Sequence, residues 1–361
     1  MILEDICDVY SGYAIKQFNE DKIGVPVIKI GNILMDGTIE LEDCQYTTEK
    51  VNQKYYSEYQ DIYIALSGAT TGKIGILKRQ DKFIVNQRVG IVRKKDNNIP
   101  IEFIKYFLFH HTDRIFKEAA GCAQPNISPK QIGKYKVPII DDSRMKYVVE
   151  ILDSLTRIIN KRKRQLNYLD ELIKARFVEM FVSKNYPREE LDNLSYGKGE
   201  YGAQSASVEY NSSRPRYVRI TDIKEDGSLN DDVVCSANVE DDKLYKLKYG
   251  DFCFARMGAT VGKTYAYRGG NQIFAGYLIR YKLNLNRIIP EYLYEFTRLH
   301  EYRNWVSLNQ SGAAQPGINA KKYGSLRIPV APLEEQRVFA KFVEQVNKSK
   351  VVSQHTTSNP Y

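Results

Sequence analysis

The stretch RMGATVGKT, residues 256–264, has the residue types of a phosphate loop. A glycine-rich turn ending in Gly262-Lys263-Thr264 could hold phosphates with backbone amides, an ammonium and a hydroxyl. The spacing argues otherwise. A nucleotide loop reads G-x-x-x-x-G-K-[ST], but three residues separate Gly258 from Gly262. A second copy, SGATTGKI (67–74), has the same short spacing between Gly68 and Gly72. It also places Ile74 where a hydroxyl would meet magnesium. Such a loop must open a helix whose first amides face the phosphates. KIGILKRQ and KTYAYRGG follow instead, short and β-like. Before the first copy, Ile62, Ile64 and Leu66 alternate with Tyr63 and Ala65, a strand pattern. The expectation is a β-hairpin whose glycines take turn conformations closed to other residues.

No other chemistry stands out. His110, His111, His300 and His355 are scattered without metal spacing, and there is no G-x-S-x-G elbow. Cys7, Cys44, Cys122, Cys235 and Cys253 are odd in number and contain no C-x-x-C pair, against a disulfide framework or zinc site. The terminal SNPY is one proline short of the [DN]PP[YFW] motif with which a methyltransferase holds a flipped adenine. The chain is expected to be non-catalytic, without metal or cofactor. Its 361 residues suggest two or three domains. A net charge of +9 and a pI near 9.0 favour an anionic partner such as nucleic acid. MILEDICDVY lacks the basic flank and apolar run of a signal peptide, and no apolar stretch is long enough to span a bilayer. A soluble cytoplasmic protein without a membrane span is expected.

The elements that carry the loop recur. VIKIGNILMDGTIE (27–40) answers to YVRITDIKEDGSLN (217–230), matching Ile30, Ile33, Asp36 and Gly37 with Ile220, Ile223, Asp226 and Gly227. YQDIYIALSGATTGKI (59–74) answers to YGDFCFARMGATVGKT (249–264) at the same offset, with 8 of 16 positions identical. GCAQPNI (121–127) answers to GAAQPGI (312–318), one position further on, with 5 of 7 identical. Constant order and near-constant offset imply a duplicated domain rather than a short-period solenoid. The opening of the first copy, EDICDVYSGYAIKQF (4–18), matches the second copy poorly.

Residues 143–182 read as one helix. Val148, Leu152, Leu155, Ile159, Leu166, Leu169, Ile173 and Met180 follow alternating steps of four and three, interrupted by Arg162 and Arg176, a coiled-coil seam. The segment holds nine basic and five acidic residues. PLEEQRVFAKFVEQVNKSKVV (332–352) predicts a second, shorter amphipathic helix, with Phe339, Phe342 and Val346 in register. Leu152, Leu155, Ile159, Leu166, Leu169, Ile173, Phe339 and Phe342 are the candidate partner-binding set.

Two copies of one domain, each followed by such a helix, resemble the specificity (S) subunit of Type I restriction-modification systems. The likeness covers essentially the whole chain. It is carried by YGKGEYGAQSASVEY (196–210), RPRYVRITDI (214–223), YGDFCFARMGATVGK (249–263), SGAAQPGINAKKYGSLRIPVAPLEEQ (311–336) and LDELIKARFVEMF (169–181). It implies an α+β fold of two duplicated mixed α/β target recognition domains, separated and followed by long coiled-coil helices. The boundaries are 1–141 and 185–331 for the recognition domains, 142–184 for the spacer helix, and 332–361 for the C-terminal helix and tail. It further implies that each domain reads half of a split site on double-stranded DNA. The helices would dock two methyltransferase (M) subunits, with motor-nuclease (R) subunits as further partners.

Lys and Arg set phosphate affinity, while Arg, Lys, Asn and Gln read base edges. In each copy a Thr and a Lys lie on the small-residue turn: Thr70 with Lys73, Thr260 with Lys263. Arg256 stands where the first copy has Leu66, the kind of difference that two half-sites require. Gln124 and Gln315 could read adenine or only shape a turn. Lys29, Arg88 and Arg219 complete the DNA-binding candidates. Two further readings are a stand-alone two-domain DNA-binding or adaptor protein and a P-loop enzyme.

Overall fold

The computed structural model describes residues 1–19, 21–95, 99–120, 125–138, 140–239, 241–310 and 317–355, the side chains of 351–355 excepted. The chain divides into two compact units, Met1–Ile159 and Asn160–Tyr361. Each is mixed α/β.

The first unit is built on an antiparallel four-stranded sheet. Its order across the sheet is Cys7–Ser11, Val89–Lys94, Ile62–Ala65, Ile74–Ile76. The second unit has Glu200–Tyr201, Leu278–Lys282, Asp251–Ala255, Thr264–Ala266. The central hairpin strand Ile62–Ala65 is buried on both faces. Ile62 and Ile64 join a core with helix Ile101–His110, whereas Tyr63 and Ala65 join Ile28, Phe83 and Val85 on the other side. The alternation in the sequence therefore separates two apolar environments, not core from solvent. Asp251–Ala255 is divided likewise: Phe252 and Phe254 face one core, Cys253 and Ala255 another.

Covering the second face is a short parallel pair, Val25–Ile28 with Ile84–Val85 in the first unit and Arg216–Val218 with Gln272–Phe274 in the second. The first strand of each sheet meets this layer at a glycine. A Cβ on Gly12 would stand 2.2 Å from the carbonyl oxygen of Val85, and one on Gly202 would stand 2.3 Å from that of Ala275. The two glycines are separated by the same offset as the repeated segments. The opening segments that compare poorly as sequence thus hold one backbone crossing in common.

A buried aspartate sits at the same place in both sheets. Asp61 receives Arg93 Nη2 at 2.7 Å and Nε at 2.9 Å, and its other contacts are Glu58 N and the Tyr63 hydroxyl. Asp251, its counterpart in the second copy, accepts from Lys248 N at 2.9 Å and faces Arg280 at 3.5 Å. Lys282 lies opposite Asp251 in the ladder, as Arg93 is placed to meet Asp61 one step before Ile62↔Val92. Lys282 turns instead to Glu200, and the arginine comes from two positions earlier on the same face. A side-chain period of two permits that exchange.

The long helix runs Asp142–Phe177 and ends in a π turn, Val178–Val182. Asp141 starts it by accepting from Arg144 N at 2.9 Å. Phe177, Met180 and Phe181 all turn into the second unit's core. The C-terminal helix is Leu333–His355. Gln336, fully buried, accepts from Ile289 N and donates to the carbonyls of Arg287 and Ala331, fixing that helix to the unit. Asp170 on the long helix accepts from Arg298 at 2.7 Å and Lys350 at 2.8 Å. Burial opposes ionisation of its carboxyl, but those two cations outweigh it and hold the carboxyl below its ordinary range. No helix among the described residues is long and apolar enough to cross a membrane.

Removing one side of a buried charge pair leaves the other unpaired, at a cost of about 3–5 kcal/mol. Asp61→Ala is expected to lower stability in urea unfolding by less than that, because Arg93 keeps Glu58 at 2.6 Å and the Tyr56 carbonyl at 2.8 Å. Asp251→Ala should cost less again, because Arg280 stands 3.5 Å from Asp251, against 2.7 Å for Arg93 and Asp61, and keeps Glu200 and two backbone carbonyls.

Candidate nucleic-acid interface

The repeated motif is a hairpin turn, and a strand follows it in each unit: Ile74–Ile76 or Thr264–Ala266. No helix opens after it, so the geometry of a nucleotide loop is absent. Ala65 N donates to the Lys73 carbonyl and Gly72 N to the Ala65 carbonyl, both at 2.9 Å. In the second unit Ala255 N reaches the Lys263 carbonyl at 2.8 Å and Gly262 N the Ala255 carbonyl at 3.0 Å. The glycines have positive φ throughout: Gly68 +83°, Gly72 +86°, Gly258 +71°, Gly262 +86°. Only a residue without Cβ takes such angles at no steric cost.

The third repeated segment lies on this turn. Leu66 donates to the carbonyl of Arg88 at 2.9 Å and accepts from Ile127 N at 2.9 Å. Arg256 donates to the carbonyl of Tyr277 at 3.0 Å and accepts from Ile318 N at 2.9 Å. Short helices follow that segment in both units, capped by Ser128 and Asn319 as their sequences suggest. The first repeated segment borders the turn as well. Ile30 packs beneath Gly68, and Lys263 Nζ reaches the carbonyl of Ile223. Three stretches distant in sequence therefore meet at one end of each sheet.

The candidate side chains differ in what they are free to do. In the first unit, Lys29 lies 3.8 Å from the Phe18 ring centre and donates to Gln45. Burial lowers the pKa of its ammonium. Lys73 and Arg88 are at the turn, and among the described residues neither has a carboxylate partner. The Thr70 hydroxyl is enclosed and unbonded. In the second unit, Arg219 is held by Asp222 through Nη2 at 2.8 Å and Nε at 3.2 Å. That hydrogen-bonded carboxylate raises the guanidinium's pKa despite burial. Lys263 is paired with Glu225 at 2.7 Å, and Thr260 donates to the Met257 carbonyl at 3.2 Å. Arg256 lies over the Tyr201 ring, 4.9 Å from its centre. Gln124 and Gln315 lie outside the described residues.

The partner-binding set also divides. Ile173 and Phe339 are fully buried in the second unit's own core, where Phe339 packs against Phe177 and Phe181 at 5.4 Å. They offer no surface to a partner, which corrects the expectation for these two. Leu169 and Phe342 pack against the same core, and Leu166 is half-buried. Leu155 and Ile159 are exposed, with Leu152 half-buried beside them. The seam runs into a core at one end because Phe177, Phe181, Tyr292 and Phe339 form an aromatic cluster there.

Sequence reading missed Tyr277, the second unit's counterpart of Arg88. The two carbonyls accept the equivalent amides, but their spacing falls one short of the offset in the aligned segments. It also missed Tyr201 beneath Arg256, because that tyrosine lies in an opening strand whose sequence differs between copies.

Comparison with known proteins gives a consistent relationship. The model of the Type I restriction modification DNA specificity domain matches residues 1–168 and again 197–359. A putative type I restriction enzyme MjaX specificity subunit from Methanocaldococcus jannaschii is 24% identical over 96% of this chain and 85% of its own length. The type I restriction enzyme EcoBI specificity subunit of Escherichia coli is 20% identical, covering 95% of this chain and 78% of its own. Among solved structures, the S subunit of a Type I restriction-modification system from M. genitalium covers 99% of this chain and 91% of its own, with a TM-score of 0.52 at 13% identity. A structure from work on assembly and conformational transition of the type I R-M system covers 99% of this chain and 92% of its own, with a TM-score of 0.54 at 14% identity. At those identities the structural likeness concerns fold.

The two turn glycines of the second unit should differ in their tolerance of alanine. Gly258 has no atom within 4 Å of a Cβ position, so Gly258→Ala is expected to cost only the left-handed backbone, about 1–2 kcal/mol. At Gly262 the new Cβ would also stand 2.9 Å from Val306, which is buried. Urea unfolding should therefore rank Gly262→Ala as the more destabilised.

Proposed function

The chain belongs to the Type I restriction modification DNA specificity family, and from that premise we propose how it acts as the DNA sequence-specificity subunit of a restriction-modification complex. It binds double-stranded DNA and leaves methyl transfer and cleavage to partner subunits. The two units are duplicated target recognition domains, 1–141 and 185–331, and each reads one half of a bipartite site. Residues 142–184 are the spacer, and the C-terminal helix within 332–361 pairs with it as a coiled coil. The exposed seam positions Leu155 and Ile159 belong to the surface that docks methyltransferase subunits, two per chain, with motor-nuclease subunits joining the assembly.

One observation carries the reading. Both sheets end in the same hydrogen-bonded turn, but equivalent backbone carries different side chains: Leu66 is buried in the first unit's core where Arg256 is half-buried over Tyr201, and Arg88 stands exposed where the second unit exposes Tyr277. A constant frame with exchanged side chains is what two readers of different half-sites require. Arginine suits guanine, whose O6 and N7 accept its paired donors in the major groove. A turn lysine without a carboxylate partner among the described residues, such as Lys73, suits a phosphate, which sets register without sequence.

Methylation mapping of host DNA tests this directly. A split motif should be present, and it should disappear when this gene is deleted. Replacing residues 185–331 with the matching domain of a relative should alter one half of the motif and leave the other. An unchanged methylome in the deletion strain contradicts the reading.

A further inference from the structure

We infer that the turn end of the first unit is a phosphate-anchoring surface for the DNA backbone, and that the equivalent end of the second unit is partly neutralised. This rests on the DNA-binding function above and adds an inequality between the two units.

The equivalent positions show it. Lys29 corresponds to Arg219, Lys73 to Lys263, and Arg88 to Tyr277. In the first unit all three are cations, and none meets a carboxylate among the described residues. In the second, Arg219 is bound by Asp222, Lys263 by Glu225, and Tyr277 carries no charge. Arg256, which lies over Tyr201, and Lys224, an exposed residue that stands where the first unit has Leu34 and is in no ion pair among the described residues, are the exceptions.

Besides Arg88 against Tyr277, two substitutions between the copies account for the pairing of Arg219 and Lys263. Asn32 stands where the second unit has Asp222, and Met35 stands where it has Glu225, both at the offset of the repeat. Asn32 Oδ1 accepts from Lys29 N at 2.8 Å, and Asp222 Oδ2 accepts from Arg219 N at 2.8 Å. The amide and the carboxylate cap the backbone identically, so charge here is independent of fold.

The backbones of Lys29, Lys73 and Arg88 converge on one turn. Ala65 N binds the Lys73 carbonyl, Leu66 N binds the Arg88 carbonyl, and Ile30, next to Lys29, lies beneath Gly68. A cation that neutralises a phosphate releases counterions, and binding then falls with salt at a slope of about −0.9 per contact. A cation already beside a carboxylate contributes little, since the approaching phosphate meets both charges. The Lys263–Glu225 pair, with its glutamate exposed, is weak in itself, but its net charge is still zero.

The test is the salt dependence of binding by the full chain, with its co-purifying methyltransferase, to a mixed-sequence DNA duplex between about 50 and 200 mM salt. Lys29→Gln, Lys73→Gln and Arg88→Gln should each reduce the slope by about 0.9, while Arg219→Gln and Lys263→Gln leave it unchanged. The double variant Asp222→Asn with Glu225→Met copies the first unit's residues and should steepen the slope by up to about 1.8, two contacts' worth. Circular dichroism confirms that each variant is folded. Equal effects from the two units, or no steepening in the folded double variant, overturn the inequality while leaving DNA binding intact. A parent complex with no salt-dependent DNA binding overturns the function itself.

Discussion

Each unit is organised around one backbone residue that is hydrogen-bonded on both sides. Leu66 gives its N–H to the carbonyl of Arg88 and offers its own carbonyl to Ile127 N, and Arg256 does the same with Tyr277 and Ile318. The residue lies just past the end of a hairpin strand, where two other parts of the chain converge on it. Both of its backbone polar groups are satisfied by distant segments, as groups withdrawn from water require. The side chain differs between the units: Leu66 packs into the core beneath the turn, whereas Arg256 lies over Tyr201. Leucine and arginine occupy the same frame because the frame is made by backbone atoms.

Charge obeys the same separation. The buried aspartates Asp61 and Asp251 hold equivalent positions, but their arginines come from ladder positions two steps apart. Strand periodicity keeps both arginines on the correct face. At the edge of the turn, Asn32 and Asp222 form the same cap while one leaves its neighbouring cation without a carboxylate and the other binds it. Fold is thus preserved by hydrogen-bond geometry that an amide or a carboxylate can supply. Surface potential is set by which of the two is present. For a protein whose partner is a polyanion, that choice bears on affinity without touching the core.

The long helix shows the limit of reading periodicity. Its three-four seam was legible, and so was its extent to within a few residues of Asp142–Phe177. What occupies the seam was not. Ile173 and Phe339 look like Leu155 and Ile159 in sequence, yet the first two are enclosed by aromatic rings and the others are exposed. An apolar residue at a seam position reports that something covers it. It does not say whether the cover is the same chain or another.

The sequence alone settled the local features: the hairpin in place of a nucleotide loop, the recurrence of three segments, and the positions of the helices. These follow from spacing, glycine and apolar period, which act over a few residues. Tertiary structure decided which charges are spent on neighbours and which are not. Arg219 is followed within one turn by its aspartate, but Lys263 meets Glu225 across separate repeated segments, and Tyr277 matches Arg88 only through the amides that their carbonyls accept. Ion pairing and enclosure depend on distances of a few ångströms between segments far apart in the chain. Only the folded chain brings those segments together.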